Sequence, residues 1–182
     1  MTVQNRLLQL FICLLLVTVA GCGFQLRGPK PMAFKTIYIE MSPYSELAAD
    51  LKRQIKTSGT TNAVDSREEA EVRMVVVQDN REKAILSLGS DGTVREYQLR
   101  QRFQFRLHDK AGKEVMSLQE INITRDITFN DSLVLAKEQE ELLLYRDMQS
   151  DLVQQIVRRL AAVRMNTPAT PPAVSGIPTT AP

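Results

Sequence analysis

Between residues 96 and 107 apolar and polar side chains alternate with a period of two. Tyr97, Leu99, Phe103, Phe105 and Leu107 fall on one side, and Glu96, Gln98, Arg100, Arg102, Gln104 and Arg106 fall on the other. Successive side chains of a strand point to opposite faces, so this segment has one face for a core and one for water. Antiparallel sheets commonly accept that division. The flanks supply partners. Ala84 to Leu88 reads as extended, and Ser90-Asp91-Gly92-Thr93 is a hairpin signal because Asp-Gly tolerates positive φ. Asp109 to Lys113, with Gly112, turns the chain again. Val115, Ile121, Ile123, Ile127 and Phe129 then share one face of a last long strand.

Upstream, Lys35 to Met41 sets Ile37 and Ile39 against Tyr38 and Glu40, which predicts a strand. Ser42, Pro43 and Ser45 begin a helix, and Leu47, Ala48, Leu51 and Ile55 recur at helical spacing to about Thr57, with Gly59 as its stop. Met74, Val75, Val76 and Val77 form a continuous apolar run, as expected of a strand covered on both faces. Asn130, Asp131 and Ser132 offer caps for a long helix to about Val163. Its stripe is Tyr145, Met148, Leu152, Ile156, Leu160 and Val163, and it fades before Glu138. The element order is therefore β-α-β-β-β-α, opened by a right-handed crossover. Each helix has one apolar stripe and the sheet one apolar face. The expected fold is α+β: a two-layer sandwich of a mixed four-stranded sheet with both helices on one face, the other left polar and free.

The ends of the chain differ from this body. Leu7 to Val19 is an apolar run preceded by Arg6 and closed by Val19-Ala20-Gly21-Cys22. Basic start, short apolar middle and small residues make a secretory signal peptide. At about 13 residues the run is short of the roughly 20 that a spanning helix needs. Cysteine directly after the small residues resembles a bacterial lipobox, in which the thiol is acylated and the chain is cut before it. Residues 1–21 are thus read as the signal peptide, 22–34 as a lipidated tether, 35–165 as the folded domain and 166–182 as a disordered Thr/Pro/Ala-rich tail without charge. Two acyl chains anchor stably where one does not. With Cys13 removed and Cys22 acylated, no thiol remains for a disulfide, a zinc site or a redox pair.

Lys and Arg number 23 against 21 Asp and Glu, a balance that gives no reason to expect nucleic acid as a partner. A hydrolytic triad would have to use the single histidine, His108, which reads better as a strand-end residue beside a turn. No phosphate-cradling glycine loop and no metal-ligand spacing is present, so neither enzyme activity, a cofactor nor a metal is expected. The notable constellation is basic. Arg100, Arg102 and Arg106 share the polar face of one strand, where guanidinium groups could meet phosphates bidentately, with Arg81 and Lys83 as possible additions from the partner strand. The competing reading is a solvated face that pairs with Glu96 or Glu120. Lys137 stands near a helix start, an unfavourable place for a cation, which suggests use.

Three short motifs carry a family resemblance. Cys22-Gly23-Phe24-Gln25-Leu26-Arg27-Gly28, Glu96-Tyr97-Gln98 after the Asp-Gly turn, and Ala136-Lys137 at the last helix resemble the lipopolysaccharide-assembly lipoproteins, the LptE family. The Thr/Pro-rich tail is also similar. The resemblance implies an outer-membrane lipoprotein on the periplasmic side, its body within the lumen of the LptD β-barrel. Such a protein plugs and helps assemble the barrel and binds lipopolysaccharide during its delivery to the outer leaflet. It also implies that Lys137 contacts lipopolysaccharide. A second basic position at the hairpin turn does not carry over, because Ser90 and Asp91 stand there, which leaves Arg100, Arg102 and Arg106 as the other candidates. The alternatives are a structural or apolar-ligand-binding subunit of another envelope machine, or a histidine-dependent hydrolase.

Overall fold

A computed structural model describes residues 31–164. The signal segment, Cys22 and the tail 166–182 lie outside the described residues. The strands are β1 (Thr36–Glu40), β2 (Asn62–Val64), β3 (Val72–Leu88), β4 (Val94–Asp109) and β5 (Glu114–Thr128), and the helices are α1 (Glu46–Thr57) and α2 (Val134–Leu160). One mixed sheet has the order β2-β1-β3-β4-β5. β1 runs parallel to β2 and β3, and the other neighbours are antiparallel. A single cluster of buried side chains joins Leu47, Leu51 and Ile55 of α1 with Met148, Leu152 and Ile156 of α2, against Ile37, Met74, Phe103, Phe105 and Ile121 of the sheet. Both helices therefore cover one face, the expected α+β sandwich.

The sheet has five strands rather than four. β2 is only three residues long, too short to show a period, and it forms through tertiary contact. Asn62 N–H donates to the Lys35 carbonyl at 2.8 Å, and the Thr61 hydroxyl donates to the Phe34 carbonyl at 2.8 Å. Met32 and Phe34, read as tether, are buried at 7% and 2% exposure, so the packed body begins before Lys35. The Met74–Val77 run is not covered on both faces. Met74 is buried, Val75 and Val76 are half-buried and Val77 is exposed. The reason is that none of the described residues layers over the second face, and a bulge between Val76 and Gln78 resets the register.

The alternating strand is β4. Leu99, Phe103, Phe105 and Leu107 are fully buried. Gly92 takes φ +82° in the β3–β4 turn, where Gly89 N–H donates to the Thr93 carbonyl at 2.7 Å. Asp91 accepts from the Thr93 hydroxyl at 2.8 Å and from its N–H at 3.2 Å. These bonds, the hydroxyl's first, hold the Asp91 carboxyl below its usual range. At the far end of the meander, the Asn130 side chain caps a 3₁₀ turn at Asp131–Leu133, one turn before α2 begins. From Val134 to Asp147 no side chain of α2 is buried, whereas Met148, Leu152, Val153, Ile156 and Leu160 all are. The helix thus packs mainly by its second half; before Met148, Leu144 and Tyr145 touch the edge of the core and polar contacts such as Lys83 with Glu141 follow the distal sheet.

Candidate functional site: the uncovered sheet face

Because side chains alternate, the register of β4 decides what stands on the uncovered face. Arg102 lies opposite Asn80 of β3 and Asn122 of β5, and Arg100 opposite Glu82 and Thr124. These six side chains surround a depression of about 300 Å³. Arg100 Nε donates to Gln98 Oε1 at 2.8 Å and has no carboxylate partner among the described residues. Arg102 donates to Asn122 at 3.4 Å and lies 3.7 Å from Glu120. Glu120 accepts one amide hydrogen bond from Asn122 and one from Gln104, both at 2.7 Å. These donors, and then the Arg102 charge, lower its pKa. Arg106 stands farther along the row, 3.7 Å from Glu114, with its buried Nε unpartnered. The arrangement offers one free and one loosely held guanidinium within a frame of amides and carboxylates. Such a frame can accept a phosphate without any reactive group.

Other sequence candidates fall elsewhere. Arg81 and Lys83 do not join the arginine row. Past the bulge they project beneath α2, where Arg81 donates to Gln149 at 2.7 Å and sits 5.6 Å from the Tyr145 ring centroid. Lys83 lies 2.6 Å from Glu141 and 4.4 Å from the Tyr97 ring centroid. Lys137 is also apart from the row, bonded to the Thr128 hydroxyl at 2.9 Å and to Glu140 at 2.8 Å at the distal end. His108 lies at the end of β4 opposite Arg73 and Glu114, with no serine, threonine or cysteine paired to it in the sheet. Among the described residues, no group of His, Cys, Asp and Glu could hold a metal ion. One residue escaped the sequence reading. Gln101 occupies the apolar side of the β4 alternation, 1% exposed, between Leu99 and Phe103. Its place in the period was the available signal.

Fold and face together define an α+β sandwich that closes one sheet face over a core and leaves the other polar and uncovered among the described residues. A family described as "LptE: Lipopolysaccharide-assembly" matches residues 34–160, and the chain belongs to it. The LPS-assembly lipoprotein LptE of Yersinia pestis (strain Pestoides F) is 29% identical over 168 residues, which cover 88% of this chain and 78% of the relative. Among solved structures, an uncharacterized lipoprotein B from Nitrosomonas europaea shares 42% identity with a TM-score of 0.68, covering 77% of this chain and 91% of that one. The rare lipoprotein B from Shewanella oneidensis has a TM-score of 0.61 at 23% identity, covering 70% and 95%, and its likeness concerns the fold alone. Family membership gives the chain a role in lipopolysaccharide assembly.

Proposed function

We propose that the chain is an outer-membrane lipoprotein, acylated at Cys22, that plugs and helps assemble an LptD-type β-barrel and contacts lipopolysaccharide on its way to the outer leaflet. The observation that carries this reading is the uncovered β3–β4–β5 face. Strands of 15 to 17 residues make it roughly 50 Å long, and its charged and amide side chains stay hydrated there. A water-lined barrel lumen suits such a face better than an apolar partner does. Arg100 and Arg102 would meet lipid phosphates, and Lys137 would meet the same ligand at the distal end. In this reading residues 1–21 are removed, 22–30 tether the body and 166–182 follow it as a tail. The apolar-carrier alternative has less support, because the buried side chains form one contiguous cluster.

The test is charge reversal combined with crosslinking. Arg100→Glu with Arg102→Glu should weaken binding of phosphorylated lipopolysaccharide about tenfold at low salt, the scale of one lost charge-assisted contact. Unchanged affinity would remove the arginine row from the proposal. Photo-crosslinkers at positions 100 and 137 in intact cells should capture a large barrel protein. Their failure to do so, with the chain normally expressed, would refute the plug.

A further inference from the structure

Arg100 and Arg102 are exposed neighbours on one face of β4, about 6.8 Å apart along the strand. Two guanidinium charges so close repel each other, so each keeps a fixed orientation only if something holds it. The same device holds both. Arg100 Nε donates to Gln98 Oε1 at 2.8 Å, and Gln98 Nε2 donates across to Asp126 Oδ1 of β5 at 2.9 Å. Arg102 Nε donates to Asn122 Oδ1 at 3.4 Å, and Asn122 Nδ2 donates to Glu120 Oε1 at 2.7 Å. In each case the order is carboxylate, amide, guanidinium. A carboxylate only accepts and a guanidinium only donates, so the amide between them has one possible orientation. Gln104 Nε2 donates to Glu120 Oε2 at 2.7 Å, which occupies the second oxygen of that carboxylate.

Both guanidinium groups are therefore held through Nε. Among the described residues, the terminal nitrogens of neither donate a hydrogen bond. Those nitrogens form the fork that matches phosphate oxygens bidentately, and they are left to the depression that both arginines line. The charges around them are ordered. Asp126 faces Gln98 and Glu120 faces Gln104, about 20 Å apart along β5, while Thr124 and Asn122 face the two arginines between them. The relay carboxylates stand at the flanks and the cations in the middle. Glu82 differs from both. It faces Arg100 from β3 and lines the depression, and no hydrogen bond or ion pair to a described residue engages it.

We propose that Asp126 with Gln98, and Glu120 with Asn122, are positioning residues that hold Arg100 and Arg102 as two ready forks for one phosphate-monoester dianion. The inference rests on the reading above that the arginine row meets phosphate. Long side chains fixed before the ligand arrives lose less freedom on binding it. Each relay carboxylate thus favours an anion that its own charge repels. Charge alone predicts the opposite, because removing a carboxylate beside an anion site should tighten binding. Glu82 supplies that reference, being a carboxylate of the same site without a relay.

The mature acylated lipoprotein in dodecyl maltoside micelles would be titrated with inorganic phosphate at constant ionic strength, with the side-chain Nε–H signals of Arg100 and Arg102 followed by NMR. Asp126→Ala and Glu120→Ala should each weaken binding about threefold, the scale of one exposed charge-assisted contact. The Nε–H of Arg100 in the first variant, and of Arg102 in the second, should exchange faster with water than in the parent. Glu82→Gln should tighten binding about twofold. Asp126→Asn loses the same charge as Asp126→Ala but keeps an acceptor oxygen, and should bind more tightly than it. All of these side chains are exposed, so backbone amide spectra should change only around β4 and β5. A parent that binds phosphate, with Asp126→Ala and Glu120→Ala binding it equally or more tightly, would overturn the relays and leave the arginine site standing. A parent whose two Nε–H signals ignore phosphate would overturn the arginine site, and the relays with it. Lipopolysaccharide in the same micelles, intact or dephosphorylated, separates the sources of the phosphate. Preference for the intact form, weakened in both alanine variants, is the expected result. Binding of inorganic phosphate alone, with the same order of variants, would support the relays and assign them to free phosphate.

Discussion

Replacing Gln101 by methionine should make the domain more stable. The side chain is 1% exposed on the core side of β4, flanked by Leu99 and Phe103. Its Oε1 has no partner, and its Nε2 donates only to Asp79 Oδ1 at 3.4 Å, a long bond to an exposed carboxylate that water can otherwise satisfy. A buried carbonyl without a partner costs about 1–3 kcal/mol, and a weak hydrogen bond returns about 0.5–1 kcal/mol. Methionine has a similar length and no strong polar group, and adapts to irregular gaps. The expected net gain is about 1 kcal/mol, equivalent to a melting-point rise of roughly 3–5 °C for a domain of this size. Urea unfolding should show a higher midpoint with unchanged m-value. Gln101→Ala serves as the control. It removes the same amide but leaves a void, and should fall below Gln101→Met in stability. A Gln101→Met midpoint below that of the parent, at constant m, would show that the amide is fully satisfied and that the reasoning fails.

Two further perturbations follow from contacts outside the core. Lys83→Ala removes the Glu141 ion pair, a sheet contact of the first half of α2, together with the stacking on Tyr97 of β4 that positions the ammonium for it. Global stability should drop by under about 1 kcal/mol, while hydrogen exchange of residues 134–147 should quicken more than that of 148–160; uniform exchange along α2 would count against the polar attachment. Asn122→Ala deletes the first donor to Glu120 and should raise that carboxyl's lowered pKa in an NMR titration. A lowered folded pKa contributes stability above the unfolded value, lost as pH falls through the folded one, so the variant should lose its dependence on acid just below the ordinary glutamate range. An unmoved titration would show that Asn122 does not set it.

What the sequence discloses depends on how local the cause is. The buried set Leu99, Phe103, Phe105 and Leu107 and the stripe from Met148 to Leu160 were legible because period alone separates their faces. β2 was not, since Asn62–Val64 owes its extended form to pairing with Thr36–Tyr38. The bulge after Val76 carries no composition signal, and it alone turns Arg81 and Lys83 under α2 instead of beside Arg100 and Arg102. The arginine row itself was visible, because same-strand spacing needs no register. Its separation from Lys137 depends on where α2 lands, which is a property of the whole fold.

The sheet joins two kinds of pairing whose assembly we expect to be ordered in time. In the β3–β4–β5 meander, contacts such as Leu88 with Val94 close over a few residues, whereas Ile37 must find Val72 across a whole helix and β2. Loops that short close at less entropic cost, so the meander should zip first and β1 should arrive last. Pulse-labelled hydrogen exchange during refolding should protect 97–107 before 37–39, and the reverse order would contradict this. The strand β1 is then the last to be fixed, although it is the first of the described strands to be made. A factor that recognises an extended strand would find β1 open in that interval, with the meander already closed beside it.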